Sequence, residues 1–231
     1  MANWKIEMTE RTFDLELNEL REKVAYLAGI TRRVLDTSSQ LLTEQDLSLR
    51  TEIVRLEKES DLLENGIQDK ASTLMARYQP VAVDLRFLLA SMNIAHELER
   101  IPDQCLNLVQ RLEEVRAFLP VKLPAELYEM ISRVKEMLTL AIEAYLQKED
   151  RLASQTIGLD VFVDDLKTLV MNKYLDRVNK KEIDPPLAVF FILLSRHLEK
   201  IGDLAKNMAE EAYYLVRGEF IKHLLTSGSR L

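Results

Sequence analysis

Cysteine, glycine, proline and histidine are all scarce in this chain: one Cys, six Gly, six Pro and three His among 231 residues. The lone Cys105 excludes an internal disulfide framework and suits a reducing compartment, where it reads as a small apolar residue on a helix. So few Gly and Pro, gathered at a few places, leave long tracts without punctuation, as an all-helical protein requires. Long apolar runs are missing too. The longest, Leu187 to Leu194, falls far short of the ~20 residues that span a bilayer. The N-terminus has no succession of basic, apolar and small residues, so no secretory signal is expected. With 38 acidic against 31 basic side chains, a net charge of −7 and no basic stripe, nucleic-acid binding is not expected. A nucleophile with its base, a Gly-rich phosphate cradle and a thiolate cluster are lacking as well, so no catalytic apparatus is expected.

What the chain does have is a repeat. Leu98-Glu99-Arg100-Ile101-Pro102-Asp103-Gln104-Cys105-Leu106-Asn107 returns as Leu198-Glu199-Lys200-Ile201-Gly202-Asp203-Leu204-Ala205-Lys206-Asn207. The frame Leu-Glu-(Arg/Lys)-Ile-x-Asp-x-x-x-Asn recurs at 199 − 99 = 100 residues, which divides the chain into two halves of similar design. The best boundary is Pro120-Val121-Lys122-Leu123-Pro124, giving domains at residues 1–120 and 121–231.

Apolar residues at helical spacing predict three long helices in each half. The first runs from about Phe13 to Leu42, after an arm over Met1 to Thr12 that the lone Trp4 would pack onto the body. Thr43 or Asp46 is the candidate cap for a second helix ending near Tyr78. Pro80 is expected to open the third, which extends to about Phe118. The fourth covers about Ala125 to Gln147 and the fifth about Arg151 to Val178. The sixth starts at Asp184-Pro185-Pro186 and runs to about Val216, with Gly218 as its stop. Short links between such helices give an all-α fold of two tandem, repeat-related antiparallel three-helix bundles.

Glu and Asp four apart lie on one helix face, so each copy of the frame offers two carboxylates to one point. Such pairs mean little by number, because 38 acidic residues in 231 would give roughly six by chance. Placement carries the information. Glu57/Asp61 matches Asp160/Asp164 across the repeat, as Glu99/Asp103 matches Glu199/Asp203. In a three-helix bundle each matched set can meet, forming two four-carboxylate clusters whose oxygen donors suit hard cations. The competing reading is a solvated acidic face relieved by Arg55, Lys58, Arg100 and Lys200. A Glu-x-x-His di-iron pattern does not occur, since His96, His197 and His223 fall in other registers.

The repeated Leu-Glu-(Arg/Lys)-Ile-(Gly)-Asp…Asn frame resembles the PhoU family of phosphate-uptake regulators. In each half it follows a helix bearing (Glu/Asp)-x-x-x-Asp, and in the second it precedes Val216-Arg217-Gly218-Glu219; the resemblance runs from about Val24 to His223. It implies tandem three-helix bundles and metal bound through Glu57, Asp61, Glu99, Asp103, Asp160, Asp164, Glu199 and Asp203. Iron is the metal it favours, with Mg, Mn, Ca or Zn as other occupants. It further implies a cytoplasmic, non-enzymatic negative regulator linking the ATPase subunit of a phosphate ABC transporter to a sensor histidine kinase. A metal-storage bundle is the alternative. Apolar residues left over from a three-helix core would serve a homodimer. Three positions depart from the family pattern. Pro102 stands where Gly is usual, removing an amide and crowding the Leu98 carbonyl, so the second-half cluster is expected to bind metal more tightly. Glu97 and His197 stand where Asp or Asn often precedes the Leu-Glu pair.

Overall fold

The computed structural model describes residues 2–219 and Ile221, with side chains from Thr12 onward. Its six α-helices are α1 (Ala2–Glu44), α2 (Arg50–Tyr78), α3 (Ala82–Glu114), α4 (Ala125–Gln147), α5 (Asp150–Asn179) and α6 (Pro185–Arg217), with single 3₁₀ turns at Leu47–Leu49 and Arg116–Phe118. No strand occurs among the described residues. Helices α1, α2 and α3 pack on one another, as do α4, α5 and α6, so each half is a three-helix bundle. The two bundles meet chiefly along α3 and α6, with α1 touching α4.

The expected boundaries shift at three places. The chain before Phe13 is not a separate arm, because the backbone is already helical at Ala2; the side chain of Trp4 and residue His223 lie outside the described residues. Gln79 closes α2 in the left-handed region, its N–H donating to the Met75 carbonyl at 3.0 Å, so Pro80 falls in the link and α3 starts at Ala82. The cap expected for the second helix at Thr43 or Asp46 serves the 3₁₀ turn instead: the Asp46 carboxylate accepts from the Ser48 amide at 2.9 Å, and α2 starts after Leu49 with no side-chain cap. Gly218 ends α6 at φ 73°, a conformation that glycine adopts without steric cost.

The core follows from the helical period. On α3, Leu98, Ile101, Cys105, Leu108 and Leu112 recur at steps of three and four and are buried; Leu198, Ile201, Ala205, Met208 and Ala212 do the same on α6. Each buried Leu or Ile contributes ~1.5–3 kcal/mol. The buried residues of both bundles form one continuous cluster across the α3–α6 seam. Polar pairs cross this seam too. Asn207 donates to Glu97 at 3.3 Å, and His197 Nδ1 meets Gln104 Oε1 at 3.1 Å. Glu97 and His197, two of the positions that depart from the family pattern, thus serve the joint between bundles.

Pro102 does not break α3. The helix runs through it from Ala82 to Glu114 with the proline buried. A proline leaves the carbonyl four residues back without its helical donor, and here that carbonyl belongs to Leu98. Thr31 of α1 supplies the replacement, donating its hydroxyl to Leu98 O at 3.0 Å in a fully buried position. In α6 the corresponding residue is Gly202, where an added Cβ would come into ordinary contact range of Val134, Met137 and Val163.

Candidate functional site

In the first bundle Glu57 and Asp61 of α2 face Glu99 and Asp103 of α3, and their mutual influence is visible in their ionisation. Burial first, then the charges of Asp103, Asp61 and Glu64, push Glu99 up to about 7, with a hydrogen-bonding contact to Asp61 as the smallest cause. Burial and then Asp61 and Asp103 raise Glu57. Burial and Asp61 raise Asp103, with Arg100 opposing. Asp61 Oδ1 is itself buried without a hydrogen-bond partner.

The basic residues that could relieve this face do so only in part, Lys58 lowering Glu57 and Arg100 lowering Asp103 without reversing either shift. Arg55 pairs with Glu59 at 2.9 Å and Arg100 with Glu97 at 3.2 Å, while Lys58 is exposed. The first crossing is therefore a set of carboxylates that burial and mutual repulsion make costly to ionise. The ordinary glutamate value of 4.5 represents the unfolded state and about 7 the folded one for Glu99. Below the lower value both states hold the proton and Glu99 adds nothing. Between the two values only the folded state keeps it, so stability falls as pH rises, and above about 7 the cost is fully present.

The second crossing has the same four positions and a different balance. Lys167 bridges the helices, its Nζ 3.1 Å from Asp164 Oδ1 on α5 and 2.9 Å from Glu199 Oε1 on α6. Lys206 of α6 hydrogen-bonds the carboxylate of Asp160, and Lys200 lies 3.3 Å from Asp203. The hydrogen bond to Glu199 is the main reason that Lys167 lies above the usual lysine value. Burial opposes the charge on Lys206, and Asp160 overcomes it. The pattern of acidic pairs leads to neither Lys167 nor Lys206, nor to Glu64 in the first bundle. A signal for them exists in the sequence: Glu64 and Lys167 stand three residues after Asp61 and Asp164, on the same face, as Lys206 stands after Asp203.

Among the described residues, no three carboxylate, imidazole or thiol groups are already gathered into a ligand set. The donor chemistry nevertheless separates the halves. The first crossing offers hard oxygen donors, one of them buried and unpaired, and fits a hard cation; the second, as arranged, has its carboxylates on ammonium groups. The expectation that the second half would bind more tightly rested on a kink at Pro102, and the continuous α3 with its Thr31 contact removes that reason. Neither described histidine, His96 nor His197, joins the carboxylates of a crossing. His96 is exposed and 3.9 Å from Glu64, and His197 is lowered by burial and by Arg111 and Arg196 at the seam. Cys105 is wholly buried, its thiol pushed to about 12, which leaves it no thiolate chemistry. No helix is long and apolar enough to cross a membrane among the described residues.

Fold and site together define a class: an all-helical tandem-bundle protein with a paired-carboxylate crossing in each half. The PhoU domain family model matches residues 24–112 and 127–212, one match per bundle, and the chain belongs to the PhoU family. It is 31% identical over 208 residues to a phosphate-specific transport system accessory protein PhoU homolog of Aquifex aeolicus, covering 90% of this chain and 94% of that one. A Thermotoga maritima protein of similar name, homolog 1, is 26% identical over 217 residues, covering 92% of each chain. The crystal structure of PhoU from Pseudomonas aeruginosa shares the fold with TM-score 0.85 at 24% identity, covering 90% of this chain and 100% of that one. A phosphate transport system regulatory protein PhoU from Streptococcus pneumoniae does so with TM-score 0.83 at 21% identity, covering 90% and 98%.

Proposed function

We propose that this protein is a cytoplasmic, non-enzymatic negative regulator of phosphate uptake. It acts as an adaptor between the ATPase subunit of a phosphate ABC transporter and a sensor histidine kinase, and holds the kinase inactive while phosphate is ample. The observation that carries the reading is the family match in both halves, to relatives named as accessory proteins of phosphate-specific transport. The surface of α5 supports it. Val161, Phe162, Leu169 and Leu175 are half or more exposed there, whereas the repeat-related positions on α2 are Lys58, Glu59, Gly66 and Ser72. An apolar stripe on one bundle and a polar one on the other suit a protein that touches different partners with different faces.

Residues 1–120 and 121–231 act as the two domains of this adaptor, and a homodimer is its working form. A hard cation, iron in the first place, is held by Glu57, Asp61, Glu99 and Asp103. It supplies positive charge between α2 and α3 and so ties the two helices together. The test is binding. Purified protein captures the transporter ATPase, the sensor kinase or both, and Val161→Asp/Phe162→Asp weakens that capture without unfolding the bundles. Absence of binding to either partner, together with many metal ions per chain, would replace the adaptor with a storage bundle.

A further inference from the structure

The two crossings occupy equivalent places in the repeat, yet they differ at two positions that decide their charge. At the offset 167 − 64 = 103, Glu64 of the first bundle becomes Lys167 in the second, and at 206 − 106 = 100, Leu106 becomes Lys206. Both replacements point into the crossing. Lys167 spans α5 and α6 through Asp164 and Glu199, and Lys206 ties α6 to Asp160 on α5. A divalent cation placed between two helices would neutralise carboxylates from both and hold them together. Two ammonium groups already do that here. Loading metal into the second crossing would require expelling both, leaving two cations without their present partners and two desolvated stems to rearrange.

We infer that the second bundle has replaced the cation of its acidic crossing with its own Lys167 and Lys206, so that this chain takes metal in the first bundle only. The halves are thereby given different roles. The first crossing responds to the supply of a hard cation, and the second is closed at all times by lysines that no chelator removes. The inference rests on the proposed metal site at Glu57, Asp61, Glu99 and Asp103 for its first half, and on the lysine contacts alone for its second.

Mn²⁺ uptake, read by equilibrium dialysis with metal analysis and by the Mn²⁺ resonance signal, separates the two parts. In the otherwise unchanged protein, Glu99→Gln/Asp103→Asn lowers Mn²⁺ affinity by ~10-fold or more, while Glu199→Gln/Asp203→Asn leaves Mn²⁺ content unchanged. Lys167→Met/Lys206→Met gains Mn²⁺ in the second bundle, and that gain disappears when Glu199→Gln/Asp203→Asn is added. Lys167→Gln/Lys206→Gln serves as the gentler replacement if the methionine pair does not fold. Loss of Mn²⁺ from the parent protein on Glu199→Gln/Asp203→Asn overturns the inference. So does failure of folded lysine variants to take up any second-bundle metal. A parent protein that binds no Mn²⁺, with lysine variants that do, removes the first-bundle metal reading and leaves the lysine replacement standing.

Discussion

Replacing Thr31 by Val keeps the shape of the side chain and removes the hydroxyl that reaches Leu98 O at 3.0 Å. Both Thr31 and Leu98 are buried, and Pro102 has no amide with which to restore the bond. An acceptor left unpaired in such a place costs ~1–3 kcal/mol. In a chain of this size each kcal/mol moves Tm by ~2–4 °C, so Thr31→Val should lower it by several degrees. A double-mutant cycle with Pro102 isolates this contact. In a Pro102→Ala background residue 102 has an amide again, within the helical ladder that ends on Leu98 O, and the Thr31 hydroxyl becomes dispensable. Thr31→Val should then cost well under ~1 kcal/mol, a coupling of ~1–2 kcal/mol between the two sites. Urea unfolding of the parent, both single variants and the double variant measures this directly. An equal cost of Thr31→Val in both backgrounds would refute the assignment of Thr31 as the donor that replaces the missing proline amide.

Glu99→Gln should stabilise the chelator-treated protein, because it removes a charge that burial and Asp103 oppose. The interval from 4.5 to about 7 corresponds nominally to ~3 kcal/mol, which partial exposure and screening reduce to ~1–2 kcal/mol. Melting curves should thus show a gain of a few degrees near about pH 8 and little near about pH 5, by the linkage worked out above; an equal shift at both, or a loss at the higher pH, contradicts the crossing as described. Cys105, buried and with its thiol pushed to about 12, should resist thiol reagents in the folded protein and react fully in denaturant, as mass spectrometry would read; rapid modification of the native protein would show that α3 opens locally.

The helices were legible because their signals are local and redundant. Apolar steps of three and four residues, Pro120 and Pro124 between the halves, and Gly218 beyond α6 each mark one feature of the chain. The beginning of α1 was not, since scattered charge before Phe13 lacks an apolar stripe while the helix continues there. The carboxylate pairs were legible from the repeat, and the charges that separate the two crossings only in part: the three-residue spacing places Lys167 and Lys206 on the right faces, but the carboxylates they reach across the crossing show only when α5 and α6 are laid side by side. Pro102 is the instructive case. Its local rule, a lost amide and a crowded carbonyl, holds, and the consequence expected from it fails, because Thr31 comes from another helix 67 residues distant in sequence.

Control of phosphate-starvation genes is the proposed role of this chain, and it is measured most directly in cells. In cells lacking this gene, a reporter for phosphate-starvation genes is measured in phosphate-rich medium, with and without expression of the intact chain. The reporter should be on in the deletion strain and off again when the chain is restored. A reporter that stays off in the deletion strain would contradict the proposal that this protein holds the starvation response in check.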